Sequence, residues 1–415
     1  MSSMKRIIIT ILVFFTGMTV FAQSSNLSYY TEEYNRSTAT FIDRLEVLQT
    51  VREANLTDIG EFYHDALKVL ITKLPDIKTK PEKDAAEASA RILCQELGSE
   101  GYTAAAPELW YMVQFFDVVR AIVGDLNNGL TMQDALVALG QVNAKDYAPH
   151  IALRLDNFNT DHTTDVETRR RVQRGVVGCI SALEALHEII GYKPVFFAYV
   201  GWYDPAIKSI ASAALPNIVE DPGEVIAEII RDPANNPSVK FEAWREMLRT
   251  RAPSTSKAKV AAVALGTGWT FATSIPEFQR NLREMRMSAI DTIRMFGVED
   301  DSVYTNLERS YNNNFVNASP SYDEIRRTID ALSTVKTDEA VNLLLKFLRE
   351  LHARRRSGPW GNKERQVLQM VIPALGATGT QSQDVRQLLT TIQRSSDYTG
   401  NEQTWARNAL RDLGQ

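Results

Sequence analysis

Apolar residues recur along this chain at intervals of three and four. Ile325, Ile329 and Leu332 fall along one helical face, and Val341, Leu344, Leu345, Leu348 and Leu351 stripe the segment that follows. Side chains at those separations lie above one another on an α-helix, so each stretch predicts an amphipathic helix with one buried face. The same pattern predicts helices over 58–74 with 82–98, 105–124, 131–140 with 146–158, 165–191, 205–215 with 223–231, 238–250, 257–266, 281–297 with 300–311, 322–334 with 338–354, 363–376 with 383–394, and 402–413. Strand-like alternation is nearly absent.

The ends of these stretches carry their own signals. Ser321 with Glu324 three residues on reads as a capping box, and Asp221-Pro222-Gly223-Glu224 combines an acidic cap, a first-turn proline and a following glutamate. Glycine closes Leu97-Gly98, Leu139-Gly140, Ile190-Gly191, Leu265-Gly266, Phe296-Gly297, Leu375-Gly376 and Leu413-Gly414, at spacings mostly of 31 to 51 residues. Glycine allows the left-handed cap conformation, so these positions are expected to be helix ends. Leu215-Pro216 and Leu332-Ser333 end the same kind of helix without one. A period of this size belongs to a two-helix repeat. The turn-rich stretches 78–81, 312–321 and 354–362 read as irregular.

The best single unit runs from Asp204 to Asp232. Asp-Pro opens its first helix, Ala211, Ala213 and Ala214 lie on the packing side, and Ile226, Ile229 and Ile230 stripe the second helix. Leu136–Leu155, Ile325–Leu348 and Val367–Ile392 with the trailing Ala406–Leu413 are alike. These units resemble HEAT repeats of the armadillo-like class, over about three quarters of the chain beyond residue 22, with gaps at 160–203 and 266–281. The resemblance implies an all-α, right-handed α-solenoid of stacked antiparallel helix pairs, an open superhelix whose second helices line a concave face used for protein contacts. The expected organisation is residues 1–22, a segment 23–50, and a single HEAT-like solenoid over 51–415.

The first 22 residues stand apart. Lys5 and Arg6 precede a 15-residue apolar run from Ile7 to Phe21, and Val20-Phe21-Ala22 places small residues before a cut. This reads as a secretory signal peptide, too short to span hydrocarbon, so the mature chain is expected outside the cytoplasm, periplasmic or secreted, with no transmembrane segment. Its removal changes 46 basic against 51 acidic residues to 44 against 51, a net charge of -7. A nucleic-acid binder needs basic excess to neutralise phosphates, so that partner class is disfavoured. The two cysteines, Cys94 and Cys179, lie in apolar helical segments about two repeats apart and read as buried, unpaired thiols.

Two clusters are candidates for contact. Phe196, Phe197, Tyr199, Trp202 and Tyr203 crowd eight residues of a chain that is 9% aromatic, inside a stretch that breaks the repeat. Exposed, such rings concentrate binding energy at an interface, stack on sugars or touch a membrane surface; folded back, they fill a core. Arg354, Arg355 and Arg356, with Arg349, His352, Lys363 and Arg365, surround a Gly-Pro-Trp360-Gly turn. That run either offsets helix-end carbonyls on a solvated loop or docks an acidic partner or anionic envelope polymer. A further arginine group, Arg169, Arg170, Arg171 and Arg174, reads as a solvated face.

Glu61/His64 and Glu184/His187 repeat a Glu-x-x-His spacing used in two-metal bundles, but the pairs lie more than 100 residues apart and no metal site is expected. Gly266-Thr267-Gly268-Trp269-Thr270-Phe271 lacks the strand and Lys-Ser/Thr of a phosphate loop and reads as an irregular turn. No nucleophile or dinucleotide motif occurs, so neither catalysis nor a cofactor is expected. The expected function is an exported, non-enzymatic scaffold for a protein or cell-envelope partner. The rival is an exported α/α-toroid enzyme acting on polysaccharide, using the aromatic run and carboxylates such as Glu184 and Glu188.

Overall fold

The computed structural model describes residues 27–119, 129–163, 165–317 and 320–414. The proposed signal segment 1–22 lies outside them, as does the stretch 120–128. The described residues are all-α, without a strand. No helix among them is long and apolar enough to cross a membrane.

The chain divides into two compact units at Val219/Glu220. The first holds α1 (27–35), α2 (Phe41–Glu53), α3 (Gly60–Lys73), α4 (Lys80–Ser99), α5 (Ala106–Phe115), α6 (Leu130–Gln141), α7 (Ala148–Thr160), α8 (Val166–Leu186), α9 (Tyr192–Val200) and α10 (Pro205–Ile218). The second holds α11 (Gly223–Arg231), α12 (Pro237–Arg249), α13 (Ser254–Thr270), α14 (Pro276–Phe296), α15 (Ser302–Val316), α16 (Tyr322–Val335), α17 (Asp338–Ser357), α18 (Asn362–Thr378), α19 (Gln383–Arg394) and α20 (Gly400–Asp412).

Packing in each unit follows chain order. In the first, α2, α4, α6, α8 and α10 form one row, each against the next, and α3, α5, α7 and α9 back the following even helix. In the second, α12, α14, α16, α18 and α20 form one row, α11, α13, α15 and α17 another. Every well-packed pair consists of neighbours or next neighbours in sequence. Side-chain bonds keep the same step: Arg91 to Asp134 and Trp244 to Ser288, 43 and 44 residues apart, and Trp269 to Ser310 and Arg286 to Glu324, 41 and 38 apart.

The glycines do a different job from the one their spacing predicts. Gly98, Gly140, Gly266 and Gly376 lie inside helices, and among the expected closures only Gly297 and Gly414 take the left-handed conformation, at φ 96° and 85°. A Cβ on Gly98 would come within 3.1 Å of the Ala138 Cα, one on Gly140 within 3.0 Å of Ala182, and one on Gly376 within 2.8 Å of Ala409. They let successive row helices, α4 on α6, α6 on α8 and α18 on α20, approach to backbone contact. At these three positions glycine serves close packing rather than capping.

Other boundaries also shift. The helix predicted over 165–191 ends at Leu186, where His187 takes a left-handed turn at φ 54°, and the aromatic run that follows is itself helix α9. The stretch 266–270, expected as an irregular turn, continues α13 to Thr270. Helix α5 stops at Phe115, and α15 and α17 run into the expected loops, to Val316 and Ser357. The two helices of the clearest sequence repeat, α10 and α11, fall in different units: α10 packs on α8 and α9, α11 on α12 and α13. Cys94 and Cys179 are buried and unpaired, and burial pushes the Cys179 thiol up to about 12.

Candidate functional site

The aromatic run is divided by the helix it forms. On α9, Tyr192, Val195, Phe196 and Ala198 face inward, where α10 packs. Phe196 is fully buried and meets Phe197 and Tyr199 edge-on at 5.7 and 6.3 Å. Tyr203 is also buried, and burial raises its hydroxyl pKa. Phe196 and Tyr203 are thus core residues, not contact residues: the helical period of α9 turns Phe196 inward, the bend after it buries Tyr203, and Phe197, Tyr199 and Trp202 are left half-buried. The Trp202 ring lies between Tyr203 at 4.5 Å and the exposed His162 at 5.2 Å, with the Arg169 guanidinium 5.6 Å away.

His162 leads back to a site that the sequence reading missed. Helix α7 opens with Ala148-Pro149, and its Ile151, Ala152, Leu155 and Phe158 are buried. The opposite face carries His150, Leu153, Arg154, Asn157 and then Asp161, at helical steps of three and four. Trp110 of α5 stands across from the start of this face, its ring 5.6 Å from His150 and 5.7 Å from Tyr147. Between them lies a cleft of about 370 Å³ lined by Trp110, Asp117, His150, Leu153, Arg154 and Asn157, among others. At its base Arg154 Nη1 donates to Asp117 Oδ2 at 2.7 Å, and the Asp117 side chain is 4% exposed. Leu153, 60% exposed, forms an apolar rim beside them. A polar helix face interrupted by one leucine was the available signal. The cleft itself needs α5 and α7 together, which no local window contains.

In the second unit the basic run is held internally. Arg354 donates from Nε and Nη2 to Glu350 at 3.2 and 2.9 Å and lies 4.8 Å from the Phe315 ring. Arg355 stacks between Trp360 and Tyr398 at 4.7 and 5.7 Å, donates to the Asp397 carbonyl at 2.6 Å, and lies 3.8 Å from the buried Glu402. Glu402 also faces Arg365 at 3.6 Å and accepts from the Thr399 N–H at 2.7 Å, capping α20. His352 stacks on Tyr398, its Nδ1 2.8 Å from the hydroxyl. Burial and the nearby Arg356 hold its pKa below the usual histidine value. Arg356 is exposed, and Trp360 is half-buried with its indole N–H buried and unbonded. The structure stacks Arg355 on Trp360 but turns Arg354 to Glu350 and Phe315, and gives each of these residues but Arg356 an internal partner.

The Glu-x-x-His pairs do not converge. His64 Nε2 pairs with Glu108 at 3.0 Å, and His187 Nδ1 donates to the Asn217 carbonyl at 2.6 Å. No cluster of three or more His, Cys, Asp or Glu residues able to hold a metal occurs among the described residues. No protein-family model matches this sequence, and no curated protein matches it either.

Proposed function

We propose that the protein is an exported, non-enzymatic scaffold built from HEAT-type, armadillo-like repeats, which binds a protein or cell-envelope partner along the α5–α7–α9 face of its first unit. The observation that carries the scaffold reading is the packing rule: within each unit, helices pair with sequence neighbours and next neighbours, and side-chain bonds recur about one repeat apart. Elements that contact only neighbours in a one-dimensional stack leave long faces uncovered, and such faces are what repeat proteins present to partners. Export rests on the basic start, apolar run and small-residue cut of residues 1–22.

The rival enzyme reading finds its carboxylates occupied on the surface. Glu184 accepts from the Asn217 side chain at 2.6 Å, and Glu188 pairs with Lys145 at 2.9 Å. The α5–α7 cleft, with Leu153 at its rim, is the favoured contact region.

The test is site-specific photo-cross-linking of the full chain in the cell that makes it, with the reactive side chain at Leu153 and, as control, at Arg356. A discrete adduct from position 153 and none from 356 is expected. Adducts from 356 alone, or none from 153, would reject the assigned face, and a cytoplasmic location of the adduct would reject export.

A further inference from the structure

The α5–α7 cleft has a chemistry of its own, and its charge narrows the occupant. Trp110 and His150 supply rings at one wall, Leu153 an aliphatic rim, and Arg154, Asn157 and Asp161 polar groups along the other. Arg154 makes one hydrogen bond, to Asp117, so its remaining guanidinium donors are unused by the described residues. The side chains of Asn157 and Asp161 likewise have no side-chain partner among the described residues and are exposed along the cleft. Among the described lining residues Arg154 and Asp117 form an ion pair and Asp161 adds a negative charge, so the described lining disfavours an anion.

A volume of about 370 Å³, one aromatic wall, and donors and acceptors side by side suit a small ring that is apolar on its face and both donates and accepts at its edge. We propose that this cleft is a binding subsite for an uncharged carbohydrate ring, stacked on Trp110 and His150, with its hydroxyls bonded to Arg154, Asn157 and Asp161. This inference rests on the scaffold reading and names one partner class for it, the neutral glycans of an envelope.

The test is calorimetric titration of the full chain with neutral cello-, chito- and malto-oligosaccharides and with an oligogalacturonate. At least one neutral oligosaccharide is expected to bind saturably, with a Kd of about millimolar or tighter. Asn157→Ala, on an exposed face, should weaken it about tenfold with unchanged circular dichroism and melting, Trp110→Ala should remove it, and the uronate should bind at least about tenfold more weakly. Binding of none of the neutral sugars, binding indifferent to Asn157→Ala, or equal binding of the uronate would overturn the assignment. A cross-link from position 153 without saccharide binding would keep the scaffold and eliminate this subsite. Saccharide binding without a cross-link would do the reverse.

Discussion

The two units use the same residue types in opposite ways. Around Trp360, arginine, tryptophan, tyrosine and carboxylate are closed on one another: Arg355 fills the space between two rings and its charge lies against Glu402, 1% exposed. Around Trp110, the arginine is tied by one bond to one buried carboxylate, and the rings, amide and second carboxylate line an open cleft. A cluster of arginines and aromatics is a binding surface only where its hydrogen-bonding capacity is left over after folding. In the second unit folding takes up the arginines and leaves only buried atoms, such as the Trp360 indole N–H, unbonded, whereas in the first exposed polar groups remain along the cleft.

Substitutions at the two places should separate the roles. The largest effect is expected from Glu402→Ala, which removes the glutamate half of the α20 capping box and leaves two guanidinium groups beside an emptied buried site. It should cost about 2–3 kcal/mol in chemical denaturation. Arg355→Ala removes the stacked guanidinium and its bond to the Asp397 carbonyl and should cost about 1–2 kcal/mol. Asn157→Ala and His150→Ala in the first unit should stay within about 0.5 kcal/mol of the parent, since both side chains are exposed and make no bond that folding requires. A large loss at Asn157, or none at Arg355, would erase the contrast.

Acidity offers a finer version of the comparison. His352 titrates below the usual 6.5 in the fold, so the unfolded chain binds the proton more readily, and stability falls as pH drops through 6.5. Arg356→Ala removes one cause of that depression and should make the acid loss smaller. Glu87, half-buried on α4 with its carboxylate 3.5 Å from the Thr131 hydroxyl, is shifted the other way, from 4.5 to about 7 by burial. A carboxyl with a raised folded value penalises the fold as pH climbs from 4.5 through about 7. Glu87→Gln should therefore raise the melting temperature above neutrality and leave it unchanged below 4.5. Melting curves across this range check both signs.

Much of the fold was legible because the helical period is local. Val341, Leu344, Leu345 and Leu348 announce α17 without reference to anything else, and each is buried. What glycine does was not legible: Gly140 precedes a helix end by one residue whether it caps that helix or admits the Ala182 backbone, and only the packed neighbour decides. The aromatic run left two outcomes open, contact rings or core, and the structure divides it: the α9 period turns Phe196 inward and Tyr203 is buried beyond it, while Phe197, Tyr199 and Trp202 stay half-buried. The cleft escaped because Trp110 and His150 meet only once α5 and α7 stand side by side. Arg355 and Trp360 lie within one loop's reach in sequence, yet the partners of Arg355, Tyr398 and Glu402, come from a later part of the chain.

The most direct measurement pairs stability and binding in the same two variants of the full chain, Asn157→Ala and Arg355→Ala, each denatured and each titrated with a neutral oligosaccharide that the parent binds. Asn157→Ala is expected to lose affinity about tenfold at unchanged stability, whereas Arg355→Ala should lose about 1–2 kcal/mol of stability and keep its affinity. The reverse pattern, with affinity following Arg355 and stability following Asn157, would contradict this expectation.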